Sequence, residues 1–440
     1  MRAALFAVWP MLLAAIAHAI GFNAFSTYSI LEVTGLGYPK IVVGLISTSV
    51  YAGLLVGSLV AFKLIGSVGH IRVFAASAGL IAASALVGPF LIEPFLWAAV
   101  RFVVGIGCAG LVICLESWLN ERSTNEIRGQ VMALYQIVFY GFAIVGNLLV
   151  GIDDKTGFVL MMIVAFIYSI VLLPVTLSKV ESPAIPEAKG LSLYRLYNIS
   201  PLGFIGVFVS GVTLGMMFGA GPLFATLSGL DVEQTTHFMS ALIAGALIMI
   251  WPVGKLSDLF DRRLVMIGVA VLGVVAGCGM LIIPVFKWEP FLALTVIFGG
   301  FLTSLYPLAL SYINDRMDKA DLSAAATGVM IVYGVGAVLG PTAAAVGMEF
   351  FGAVGFIYLI GSTLAALVVF AVWRMTRREG ISAEESGDFQ ALPTSSAVAF
   401  DMADPSHHID EAFEPTWVEA VAEQQEAWRD EASEESEHVA

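Results

Sequence analysis

The sequence predicts an all-α polytopic membrane protein, with twelve transmembrane helices arranged as two pseudo-symmetric six-helix bundles. Three observations carry that expectation. The 440 residues are 58% hydrophobic and only 13% charged, with a mean hydropathy of +0.89. The apolar residues gather into runs of bilayer length. The basic residues are far more abundant in every second loop.

Average soluble chains are about 25% charged, and half that charge cannot clothe an apolar core. Lipid must therefore solvate much of the surface. The net charge of −14 divides unevenly: from Glu379 onward the chain carries −16, which leaves +2 for the remainder. The acidity belongs to the tail, and the body offers no basic patch for nucleic acid. Cys108, Cys114 and Cys278 lie inside apolar runs, without the spacing of metal ligands or of a disulfide framework.

A helix needs about twenty apolar residues to cross a bilayer. Runs of that order occupy 6–30, 40–63, 72–92, 96–117, 130–152 and 156–177, then 201–226, 236–256, 264–286, 290–313, 323–347 and 351–373. The first run imitates a signal peptide, with Arg2 ahead of it and Ala17-His18-Ala19 as a small-residue site. Its apolar character continues past that site, and cleavage would break the pairing of halves, so it is expected to remain as a span. The longest interruption, Ser178 to Ser200, contains Pro183 and Pro186 and splits the runs six and six. The expected organisation is a first bundle over 1–178, a central loop over 179–200, a second bundle over 201–375 and an acidic tail over 376–440.

Orientation follows from Lys and Arg in short loops. Sixteen fall on one side, from Arg2, Lys63, Arg72 and Arg122 through Arg262 and Arg316 to Arg378; only Lys40, Lys155 and Lys287 fall on the other. Both termini are expected in the cytoplasm.

The loop after the second span of each half repeats a pattern. The first half reads Gly57 to Lys63 and then Gly69-His70-Ile71-Arg72; the second reads Gly254-Lys255-Leu256-Ser257-Asp258, with Asp261-Arg262-Arg263. The second version resembles the cytoplasmic loop signature of the major facilitator superfamily. Arg101, Gly105 and Gly107 resemble its fourth-helix motif, and Gly334 through Gly340-Pro341 its eleventh-helix pattern. Glu116 to Asn120, followed by Arg128-Gly129, is similar to the YcaD-type branch. The resemblance covers residues 1 to about 378. It implies two bundles packed face to face, no cofactor, a monomer, and secondary transport of a small-molecule substrate by alternating access. Proton coupling is expected because no phosphate loop is encoded for ATP. The direction stays open, export being one reading. A transporter-like receptor signalling through its tail is the alternative.

In the family this loop latches the two halves together. By that resemblance the cytoplasmic gate would comprise Gly254, Asp258, Asp261, Arg262 and Arg263, with Arg128 opposite Asp258 or Asp261 and Glu116 pairing with Arg122 or Arg128. The first half has Ala61 where the pattern wants an acid, so the symmetrical latch is expected to be weak.

Polar residues within the spans mark the cavity. Arg101 sits about one turn into the fourth span, where a charge must face water or the bundle interior. The resemblance implies that it holds an anionic group or tunes a proton; otherwise it snorkels to the near interface. His18 lies about 18 Å along the first span, near the midplane, as a protonation site, a substrate contact or a packed neutral imidazole. Asn23, Tyr135, Gln136, Tyr306 and Tyr333 complete the expected lining. So few carboxylates suit a small apolar or weakly anionic solute better than a sugar. No Ser-His-Asp set, metal helix or other catalytic pattern is present, so an enzyme is not expected. In the tail, Thr416 to Arg429 reads as a capped amphipathic helix, a weak docking element at most.

Overall fold

In lipid every backbone N–H and C=O must be satisfied internally, and a helix does this within one segment. The computed structural model describes residues 2–123, 128–152, 157–177, 192–317 and 322–377. The expected docking segment 416–429 lies outside the described residues, as does the side chain of Arg128.

Among the described residues the first half contains α1 (Arg2–Gly35), α2 (Lys40–Val68), α3 (His70–Val87), α4 (Pro94–Glu121), α5 (Arg128–Leu149), α6 (Phe158–Ile170) and α7 (Leu172–Leu177). A short α8 (Leu193–Ile199) precedes the second half. That half contains α9 (Pro201–Leu227), α10 (Val232–Leu259), α11 (Arg262–Ile282), α12 (Trp288–Asn314), α13 (Leu322–Phe351) and α14 (Val354–Met375). Eleven of these are long and apolar enough to cross a membrane. The sixth expected span is divided into α6 and α7. Pro174 explains the division: it has no N–H for the carbonyl of Ile170, where α6 stops. With that span the twelve expected crossings are accounted for. The end of the expected central loop differs, because 193–199 form α8 and bury Leu196.

The two halves repeat one packing scheme. In the first, α1 pairs with α5, α2 with α4, and α3 with both α4 and α6; in the second, α9 pairs with α13, α10 with α12, and α11 with both α12 and α14. Between the halves, α2 packs on α13 and α10 on α5, an exchange that preserves the same symmetry, and α1 meets α9. Helices in lipid associate through close approach of small residues. A Cβ added to Gly53 would collide with the carbonyl oxygen of Phe102, which fixes the α2–α4 crossing. Gly245 stands in the same relation to the carbonyl of Val296, at the α10–α12 crossing.

Candidate functional site

At one end of the bundle the halves are tied together. Lys40 at the start of α2 donates to the carbonyl of Met348 near the end of α13 (3.1 Å). About two turns deeper, Thr48 Oγ1 donates to the Val338 carbonyl (3.0 Å) and shares a hydrogen bond with Thr342 Oγ1 (2.8 Å). Across the pseudo-twofold, Gly151 beyond the end of α5 lies against Thr236 near the start of α10. Beneath this closure a central cavity of about 200 Å3 extends toward the opposite end as far as Ser58, Val112 and Met330.

Of the residues singled out in the sequence, His18, Asn23, Arg101, Tyr135, Gln136 and Tyr333 line that cavity. Tyr306 does not. It is buried behind the wall, with its ring 5.0 Å from that of Tyr333, which it supports edge-on. Among the polar linings, Ser26, Thr27, Tyr51 and Ser58 escaped the sequence reading. Period alone cannot find them, because every face of a transmembrane helix is apolar enough to pack.

His18 is 2% exposed. Its Nδ1 shares a hydrogen bond with the Tyr168 hydroxyl of α6 (2.9 Å), and its ring stacks on Phe22 one turn later. Arg101 is 1% exposed and does not snorkel. Its Nε donates to the Ile46 carbonyl of α2 (3.1 Å), while Nη1 donates to Ser29 Oγ and to the Ser26 carbonyl of α1. One guanidinium thereby joins α1, α2 and α4 and borders the cavity. Thr27 Oγ1 donates to Asn147 Oδ1 (2.6 Å), tying α1 to α5 above it.

At the other end, Glu116 is fully buried within α4. Its carboxylate accepts a hydrogen bond from the Tyr135 hydroxyl of α5, and Tyr306 of the second half lies within its electrostatic range. It lies behind Tyr135, which lines the cavity. Gly254 is buried near the end of α10. Asp258 lies 3.8 Å from Arg262 Nη2, one turn on, and Arg262 Nε lies 3.2 Å from Asp315 at the end of α12. Asp261 caps α11 by accepting from the Arg263 backbone N–H (2.9 Å), and its carboxylate also accepts from Arg263 Nε and Nη2. Partial burial alone would push the Asp261 carboxyl up; the hydrogen bonds and charge of Arg263, with Arg316 nearby, outweigh it and hold the carboxyl below its ordinary range. These described ion pairs all stay within the second half, so they brace its loop to α12.

A family model described as the Major Facilitator Superfamily matches residues 10–286 and 203–403. The chain belongs to the Major Facilitator Superfamily. Its relatives within that superfamily include the uncharacterised MFS-type transporter YcaD of Escherichia fergusonii, 29% identical over 339 residues, which cover 73% of this chain and 86% of that protein. The Shigella flexneri YcaD is likewise 29% identical, over 72% of this chain and 85% of its own length. Among solved structures, the nucleoside transporter NupG superposes with a TM-score of 0.69 at 14% identity, covering 84% of this chain and 99% of that one. A bacterial homologue of the lysosomal transporter Spinster, inward-facing and unoccupied, gives 0.63 at 12% identity over 84% and 95%. Both share the fold. As a superfamily member of this architecture, the protein is a multi-pass membrane transporter for a small-molecule substrate.

Proposed function

We propose that the protein is a proton-coupled secondary transporter of a bacterial inner membrane, working by alternating access, with both termini in the cytoplasm. The observation that carries this reading is the central cavity: it lies between two pseudo-symmetric halves, is sealed at one end, and holds a buried histidine and a buried arginine. The sealed end carries Lys40, and the opposite end carries Lys63 and the Asp258–Arg263 loop. The preference of basic residues for cytoplasmic loops makes the sealed end external, so this arrangement is closed to the outside. Rocking of one half against the other would exchange the Thr48–Thr342 closure for one at the cytoplasmic end, where Glu116, Arg128 and the Asp258 loop lie.

His18 is the proposed coupling group, since imidazole is the side chain that changes charge near neutral pH. Its test begins with uptake and growth profiling of a deletion strain against a broad solute panel, followed by assays of the hits in proteoliposomes. Wild type should accumulate or expel a hit in a way abolished by a protonophore, and the sign of the flux gives the direction. His18→Gln should lose gradient-driven movement while retaining counterflow exchange of labelled solute. Undiminished gradient-driven transport by His18→Gln would remove histidine from the coupling step. Absence of any counterflow by wild type, with solute binding retained, would favour a receptor instead.

A further inference from the structure

The walls of the cavity are chemically unequal. The first half supplies nearly all of its polar lining, including Asn23, Ser26, Tyr51, Arg101 and Gln136. The second half supplies Leu214, Phe218, Met239, Ile243 and Met330, with Tyr333 as its one hydroxyl. None of the lining residues is an acid, although one is a cation.

Among the described residues Arg101 is not neutralised by a carboxylate, and its hydrogen bonds run from Nε and Nη1 to carbonyl and hydroxyl oxygens. The Nη2 amino group has no hydrogen-bond partner among those residues, and Arg101 lines the cavity. Tyr51, which also lines the cavity, lies within electrostatic range of the guanidinium. A buried cation held by neutral acceptors favours an anion that completes its shell.

We infer that the cavity selects small amphipathic monoanions. A carboxylate or like oxyanion would sit between Arg101 Nη2 and the Tyr51 hydroxyl of the first half. The apolar body would lie against Phe218, Ile243 and Met330 of the second half, so that one solute touches both halves. The volume of about 200 Å3 is below the roughly 300–1,000 Å3 of sites for drug-sized ligands, which limits the body to about a ring or a short chain. This rests on the proposal that the central cavity is the transport site. It adds the charge of the solute, and the wall that each part of it meets.

The test is equilibrium binding to the purified full chain, read as ligand-induced thermal stabilisation. The probes are benzoate, benzamide, benzylamine and acetate, which vary charge at constant shape and then remove the body. Benzoate should stabilise wild type at concentrations where benzamide and benzylamine do not, with acetate weaker than benzoate. Arg101→Gln should raise the half-saturating benzoate concentration about tenfold to a hundredfold, as expected for a lost charged hydrogen bond. Arg101→Lys should recover only part of that loss, because the fork is gone. Should Arg101→Gln fail to fold, Phe218→Ser keeps the anchor and should reduce benzoate to the level of acetate. Equal or greater stabilisation by benzylamine or benzamide overturns the inference, and so does a series in which no probe stabilises. Flux assays separate this outcome from failure of the transport reading. Carriage of a neutral or cationic hit with no benzoate effect keeps transport and rejects the anion, whereas selective benzoate binding without flux of any solute does the reverse.

Discussion

Single residues at membrane depth must each be given a partner, and the way they obtain one separates anchors from functional groups. Ser210 and Thr213 return their hydroxyls to carbonyls of their own helix, the local solution that costs the fold nothing. His18 and Arg101 reach across helices instead, and both border the cavity. Outside the membrane, Asp261 performs two tasks with one carboxylate: it caps α11 and it pairs with Arg263. Asp261→Ala should remove both and destabilise the purified protein by about 0.5–2 kcal/mol, the range for N-cap removal. Asp261→Asn keeps a competent cap and should lose only the charge-dependent part. Because the folded carboxyl titrates below its unfolded value, that part is complete above about pH 4 and is lost as pH falls through the depressed folded value. Thermal melts of wild type and Asp261→Asn should therefore differ at neutral pH and converge in acid. A gap that is constant with pH would assign the effect to geometry alone.

Helices are the scale at which the internal symmetry becomes physical. The α2–α4 and α10–α12 crossings both require a residue without a side chain, Gly53 in one and Gly245 in the other, because the opposing backbone occupies the place of a Cβ. Overpacking such a contact costs about 1–3 kcal/mol. Gly53→Ala and Gly245→Ala should lower the thermal midpoint by similar amounts, since each forces apart the same pair of helices in its own half. A large loss from one and none from the other would show that the two crossings are not equivalent. The glycines of these helices were visible in the sequence, but not which of them faces a backbone: Gly79 and Gly268, in equally apolar helices, have open space around them. Helix boundaries were legible to within a few residues. The start of α10 fell four residues earlier than its apolar run, because Asp231 and Gln234 form a capping box that extends the helix beyond its greasy part.

For the whole molecule the decisive feature, among the described residues, is the set of contacts that joins the halves at one end. Thr48 and Thr342 lie with their hydroxyl oxygens 2.8 Å apart, which places their Cβ atoms within reach of a disulfide. In a Cys278→Ser background, Thr48→Cys with Thr342→Cys should crosslink on mild oxidation and stop transport, and reduction should restore it. Either single cysteine should transport under both conditions. A crosslinked protein that still transports would mean that this contact persists through the cycle and is not a gate.

The sequence by itself determined the fold class, the number of crossings and the superfamily, because a bilayer imposes length, apolarity and loop charge on each helix separately. It also named most of the cavity's polar residues, since a polar group in a membrane helix is costly unless it faces something polar. Tertiary structure decided what depends on two helices at once. Tyr306 packs behind Tyr333, Glu116 meets Tyr135 behind the cavity lining, and the described Asp258–Arg262–Asp315 ion pairs stay inside one half. The separation of the cavity into a polar wall from one half and an apolar wall from the other belongs to the same class. Rotation of each helix about its axis is fixed by its neighbours, and a chain that is apolar on every side carries no period from which that rotation can be read.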